Sequence, residues 1–127
     1  MPNFKNNYDL EERTAKFGEQ IIVFAKNLTR DAIFIPPISQ LIRSATSIGA
    51  NYMEANGASS PKDFANKIYI CKKESQETKH WLRMLASCFP ERKDQINLLW
   101  KEAQEFTLIF NKIGSTMKIR NSLKIEK

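Results

Sequence analysis

Apolar residues recur at alternating spacings of three and four in four separate stretches of this chain, and that period restricts each stretch to a helix with one buried stripe. The first seam is Leu10, Thr14, Phe17, Ile21, Phe24 and Leu28. It starts at Asp9-Leu10-Glu11-Glu12, where an N-cap acid is followed three residues on by a glutamate. The second is Ile38, Leu41, Ala45, Ile48, Tyr52 and Ala55, with Pro36-Pro37 supplying the fixed backbone angle of a first turn and Gly57 a stop. Ser60-Pro61-Lys62-Asp63 combines an N-cap serine, a first-turn proline and a capping acid, and Phe64, Ile68, Cys71, Ser75, Thr78, Leu82 and Leu85 follow it. After Cys88-Phe89-Pro90 the last seam is Ile96, Leu99, Ala103, Phe106, Phe110, Ile113 and Met117, with Gly114 a weak point near its end.

These signals predict helices over about residues 9–29, 37–56, 61–87 and 91–117, then a basic tail, 118–127, that frays. Connections of a few residues force consecutive helices antiparallel, so the expected architecture is an all-α, up-down antiparallel four-helix bundle. A chain of 127 residues buries one core comfortably and not two, so a single domain is expected. No stretch alternates as a half-buried strand does, and four glycines and five prolines are too few for a sandwich or a linker.

The longest uncharged apolar run, Ile21 to Ala25, is far too short for a membrane span or a signal core, so a cytoplasmic protein without a membrane partner is expected. Cys71 and Cys88 fall near the middle and the end of one predicted helix, too far apart to bridge, and read as reduced thiols. Glu77-Thr78-Lys79-His80 fits the Glu-x-x-His element of di-iron bundles. Such a site needs a second element and further inward carboxylates, however, and His80 is the only histidine, so neither metal nor cofactor is predicted. Cys71 lies on the core seam, where a cysteine acts as a small apolar residue, and no glycine-rich phosphate loop is present. With no catalytic residue to single out, the chain reads as a binding or scaffold module and not as an enzyme.

Three surfaces remain. The net charge is +6, with six bases to three acids over residues 61–90 and eight to five over 91–127, which suits an acidic partner such as RNA. Lys72, Lys79 and Arg83 share a face of the third helix beside Tyr69 and Gln76, and Lys118, Arg120, Lys124 and Lys127 dot the tail. Lys72, Lys79, Arg83, Lys118 and Arg120 are the candidate phosphate contacts; solubility alone is the competing reading. Ile70, Trp81, Met84, Leu98 and Ile109 sit beside the core seams and are either a wide core stripe with scattered surface groups or an oligomer interface. Arg43, Ser47, Asn51 and Glu54 form a polar line at spacings of four, four and three. They are either solvated or, with Glu74 and Glu77, engaged in hydrogen-bonded contacts between subunits.

The run Ile42-Arg43-Ser44-Ala45-Thr46-Ser47-Ile48-Gly49-Ala50-Asn51-Tyr52-Met53-Glu54-Ala55, then Asp63-Phe64 and Lys73-Glu74-Ser75-Gln76-Glu77-Thr78-Lys79-His80-Trp81-Leu82, resembles the four-helix bundle proteins of 23S ribosomal RNA intervening sequences. The likeness extends over about residues 9–117. It implies a bundle assembled as a ring-shaped homopentamer, with no assigned catalytic activity and no established molecular role. The accessory bundle of diversity-generating retroelements, a basic pentamer that binds a reverse transcriptase and nucleic acid, is a more distant likeness in shape and makes RNA the working partner. The family motif falls on Arg43, Ser47, Asn51, Glu54, Glu74 and Glu77, which favours structure-defining contacts over solvent for that line. Ala55-Asn56 stand where the family commonly has a glycine, so the end of the second helix is expected to differ. A protein-binding scaffold or adaptor ring is the alternative function.

Overall fold

The structure, a computed structural model, describes the backbone of residues 2–126 and the side chains of residues 10–118 and 120. Four helices form it: α1 (Pro2–Lys26), α2 (Ile35–Asn56), α3 (Pro61–Cys88) and α4 (Lys93–Glu126), with a short 3-10 turn, Pro90–Arg92, ahead of α4. No strand occurs among the described residues. Short connections leave consecutive helices antiparallel, α2 packing on α1 and α3, and α3 on α4. The side between α1 and α4 is the least closely packed of the four.

Local chemistry accounts for where the ends differ from the predicted ones. α1 begins at Pro2, ahead of Asp9, because nothing from Asn3 to Tyr8 is a proline or glycine that would break it. It stops at Lys26, where the Asn27 and Leu28 amides donate to the Phe24 and Ala25 carbonyls at 3.3 and 3.1 Å in a tightened last turn. Asp31 Oδ1 accepts from the Ile33 and Phe34 amides, both at 3.0 Å, so a turn forms before the prolines and α2 starts at Ile35. Ser60 caps α3 by accepting from the Asp63 amide at 3.0 Å. α4 passes through Gly114 and reaches Glu126, whereas the sequence predicts a frayed tail from 118. A lone helical glycine costs only about 1 kcal/mol, and no proline follows it.

Most of the seam residues make the core. Phe17, Ile21, Phe24, Leu41, Ile48, Ile68, Leu82, Leu85 and Phe106 are at most 1% exposed, and each such side chain contributes roughly 1.5–3 kcal/mol of hydrophobic stabilisation. Phe17 meets Phe106 edge to face at 5.4 Å, and Tyr52 lies 5.8 Å from Phe110, so aromatic contacts cross the bundle. Gly49 sets the approach of α1 to α2, since a Cβ there would come within 3.3 Å of the buried Thr14 hydroxyl.

Candidate functional site

Arg43 projects from α2 toward α3 because it lies on the flank of the seam that runs from Ile38 to Ala55, one helical position from the buried Ser44. Its Nη1 donates to Glu74 Oε2 at 3.0 Å and Oε1 at 3.3 Å, its Nη2 to Glu77 Oε2, and its Nε to Gln40 Oε1 at 3.0 Å. Glu74 is buried, while Arg43 keeps a rim position. The guanidinium is raised above its ordinary pKa by the hydrogen bond it donates to Glu74, against the opposing effect of burial, with Glu77 adding to the rise. For Glu77, partial burial pulls the carboxyl upward, but hydrogen bonding with Glu74 and Arg43 outweighs it and holds the group below the usual carboxylate value. The rest of the polar line is a ladder on the same flank. Ser47 Oγ donates to the Arg43 carbonyl at 2.7 Å, Asn51 Nδ2 to the Ser47 carbonyl at 2.9 Å, and Lys67 Nζ to Glu54 Oε1 at 3.1 Å. All six motif residues therefore find partners within their own chain.

A second cluster escapes sequence reasoning. Arg13 of α1 donates from Nε and Nη2 to both oxygens of Glu102 on α4, at 2.8 and 2.6 Å, and pairs with Glu105 at 3.0 Å. Its guanidinium lies 5.2 Å from the centre of the Phe106 ring and is raised above its ordinary pKa, chiefly by the hydrogen bonds it donates to Glu102. Nothing local announces this pairing, because 89 residues separate the partners.

The five candidate phosphate contacts do not form one patch. Lys79 Nζ donates to Gln104 Oε1 at 2.6 Å and lies 5.3 Å from the centre of the Trp100 ring, so it fastens α3 to α4. Lys72 of α3 and Lys118 of α4 line a single groove of about 140 Å³ with Tyr69, Asn111 and Ser115, over a floor that includes Ile68 and Phe110. Arg83 is exposed three turns farther along α3, and Arg120 is exposed near the far end of α4. The side chains of Lys124 and Lys127 lie outside the described residues.

The apolar candidates also divide. Trp81 and Ile109 pack against the core, with Trp81 edge-on to His80, and Ile70 is half-buried. Only Met84 and Leu98 are exposed, and Ile22, Val23, Met53 and Leu108 join them as exposed groups that the seam pattern passes over. Cys71 is buried, its thiol pushed up to about 12 by burial and directed at the Ile48 carbonyl at 3.6 Å, which makes it a packing residue; Cys88 is half-buried and unbridged. Among the described residues no group of His, Cys, Asp and Glu could hold a metal ion, and no helix is long and apolar enough to cross a membrane.

None of the curated proteins matches the chain. Among solved structures it is similar to a protein of unknown function from the S23 ribosomal protein family of Bacteroides thetaiotaomicron. The identity is 29% and the TM-score 0.78, covering 86% of this chain and 97% of the other. The family model described as 23S rRNA-intervening sequence protein matches residues 6–112, a span that takes in both arginine clusters and most of the groove. The chain belongs to the 23S rRNA-intervening sequence protein family.

Proposed function

We propose that the protein is a non-enzymatic, self-assembling bundle, a ring-shaped homopentamer of the cytoplasm, that binds RNA through the basic α3/α4 face. The observation that carries this reading is the convergence of Lys72 and Lys118 on one groove in a chain of net charge +6. Phosphate binding needs cations whose charge is not already answered. Arg13 and Arg43 are answered by carboxylates, and Lys79, which keeps its charge, is held across to α4 by Gln104 and the Trp100 ring, whereas Lys72, Arg83 and Lys118 make none of those pairings. A ring repeats this face around its axis and multiplies the attractive field. Exposed Leu98 and Leu108 on the outer side of α4 supply apolar surface for contacts between subunits. Glu74 and Glu77 serve Arg43, Glu54 pairs with Lys67 and the Cys71 thiol is buried, so none of them is placed as a general base or a nucleophile.

The test is the affinity for labelled single-stranded RNA of the wild-type protein and of a Lys72→Glu, Arg83→Glu, Lys118→Glu triple variant, both nuclease-treated and checked for helix content. The variant is expected to lose at least tenfold in affinity, on the order of the electrostatic share of several phosphate contacts. An unchanged affinity would overturn the surface assignment. Light scattering on the same preparation is expected to give five times the 14.7 kDa chain mass, and a clean monomer would remove the ring. Nuclease-insensitive capture of another protein without RNA binding would establish the adaptor reading instead.

A further inference from the structure

We infer that the α3/α4 groove is a seat for one unpaired base of a single RNA strand, with its ring inserted over the apolar floor and its phosphate held between Lys72 and Lys118. The inference rests on the RNA-binding reading and gives it a specific preference, for single strands over duplex. Three observations carry it.

The first is size. At about 140 Å³ the groove is well below the volume that encloses a drug-sized ligand and close to that of an apolar cavity that holds one benzene ring. One planar six-membered ring fits, and a duplex, whose bases stay stacked inside it, presents none. The second is lining. The floor of Ile68, Phe110 and Met117 is apolar, Tyr69 stands at the rim 66% exposed with its ring available for stacking, and Asn111 and Ser115 offer hydrogen-bonding groups at the edge. Aromatic stacking beside cations is the combination that single-strand binders use, because every base has a face and every nucleotide a charge. The third is continuity. Met117 also lines a more open depression against the α2–α3 turn, apolar along Ala55, Ala58 and Phe64 and edged by Asn56, Ser59 and Ser60, so the groove leads onward to a surface that the next nucleotide can follow. That path favours a strand over a free nucleotide.

Gly114 provides the means of testing it. The residue lines the groove, and a Cβ built there meets nothing within 4 Å, so the first atom of a larger side chain enters open space. Gly114→Leu therefore fills the seat, and replacing the helical glycine is expected to hold or raise the melting temperature, which separates occlusion from unfolding. Binding is measured by fluorescence anisotropy for a ten-nucleotide oligouridylate, a duplex RNA of equal length and uridine monophosphate, using the full chain, Gly114→Leu and Tyr69→Ala. Both variants are expected to lose on the order of tenfold in affinity for the single strand, the loss of about one stacked base, with duplex binding unchanged. Wild-type affinity for the single strand in a folded Gly114→Leu protein would overturn the seat while leaving the RNA-binding reading intact. Equal affinity for uridine monophosphate and the oligonucleotide would assign the groove to a free nucleotide and overturn the strand. Absence of wild-type binding to either RNA would overturn both readings together.

Discussion

The bundle is tied across two of its sides by the same device, an arginine set between two glutamates, yet the two clusters work in different surroundings. Arg43 joins α2 to α3, neighbours in sequence that pack closely, and one of its carboxylates, Glu74, is only 10% exposed. Arg13 joins α1 to α4, the opposite ends of the chain on the least closely packed side, and its carboxylates are 27% and 60% exposed. An ion pair is worth little where water can replace either partner, and its loss costs most where one partner stays buried without the other. The same arrangement of one arginine and two glutamates therefore makes a strongly held joint on one side and a solvent-screened latch on the other, with the Phe17–Phe106 ring contact beneath the latch.

The largest expected effect tests that last point. Phe106→Ala should cost about 4 kcal/mol, because it removes a fully buried ring that contacts Phe17 and underlies Arg13. Hydrogen exchange should then speed up in α1 before α2 and α3, and uniform acceleration would mean that the α1/α4 side is not the weaker one. Next, Arg43→Ala should destabilise by about 2 kcal/mol, since Glu74 keeps its burial and loses its cation, whereas Arg13→Ala should cost about 1 kcal/mol because water reaches Glu102 and Glu105. Equal costs in urea titrations would dissolve the contrast.

A smaller effect lies in the acid range. Glu77 titrates below its ordinary value in the folded chain, so its contribution is present above the unfolded-state pKa and is lost as pH falls through the lower folded-state one. Glu77→Gln should flatten that part of the stability curve by less than 1 kcal/mol, the site being 37% exposed, and an unaltered curve would separate Glu77 from the Arg43 joint. The smallest effect expected is none. Cys71, in the α2/α3 seam, should resist alkylation at neutral pH while Cys88 reacts. Its raised pKa means that this thiol favours folding below about pH 9 and ceases to do so as pH rises toward 12. Rapid labelling of Cys71 in the folded protein would show that the close side opens.

The contrast between the clusters also marks what the sequence made legible. The seams were legible because burial repeats every three or four residues, and the motif line was legible because Arg43, Ser47, Asn51 and Glu54 share one helix. Arg13 and Glu102 belong to different helices, and only the closed bundle brings them together. Trp81 and Ile109 stand beside the seams in sequence and pack on the core margin in space, because the apolar stripes of α3 and α4 are wider than their strict period. Lys79, a candidate phosphate contact in the sequence, also ties α3 to α4 through Gln104 and Trp100, partners that no local pattern announces. The groove left no mark in the period of either helix, since Lys72 and Lys118 lie 46 positions apart and only the pairing of α3 with α4 lines them up. Helix ends shifted where a local device, the Asp31 turn or the absence of a breaker before Asp9, outweighed the punctuation.

The central claim is that unpaired cations of the α3/α4 face hold RNA phosphates. It is tested most directly by the dependence of single-stranded RNA affinity on salt, measured on the wild-type chain from low to moderate ionic strength. Three contacts, from Lys72, Arg83 and Lys118, predict that the logarithm of the binding constant falls with the logarithm of salt concentration at a slope of about −2. A slope near zero, or no binding at low salt, would contradict the account.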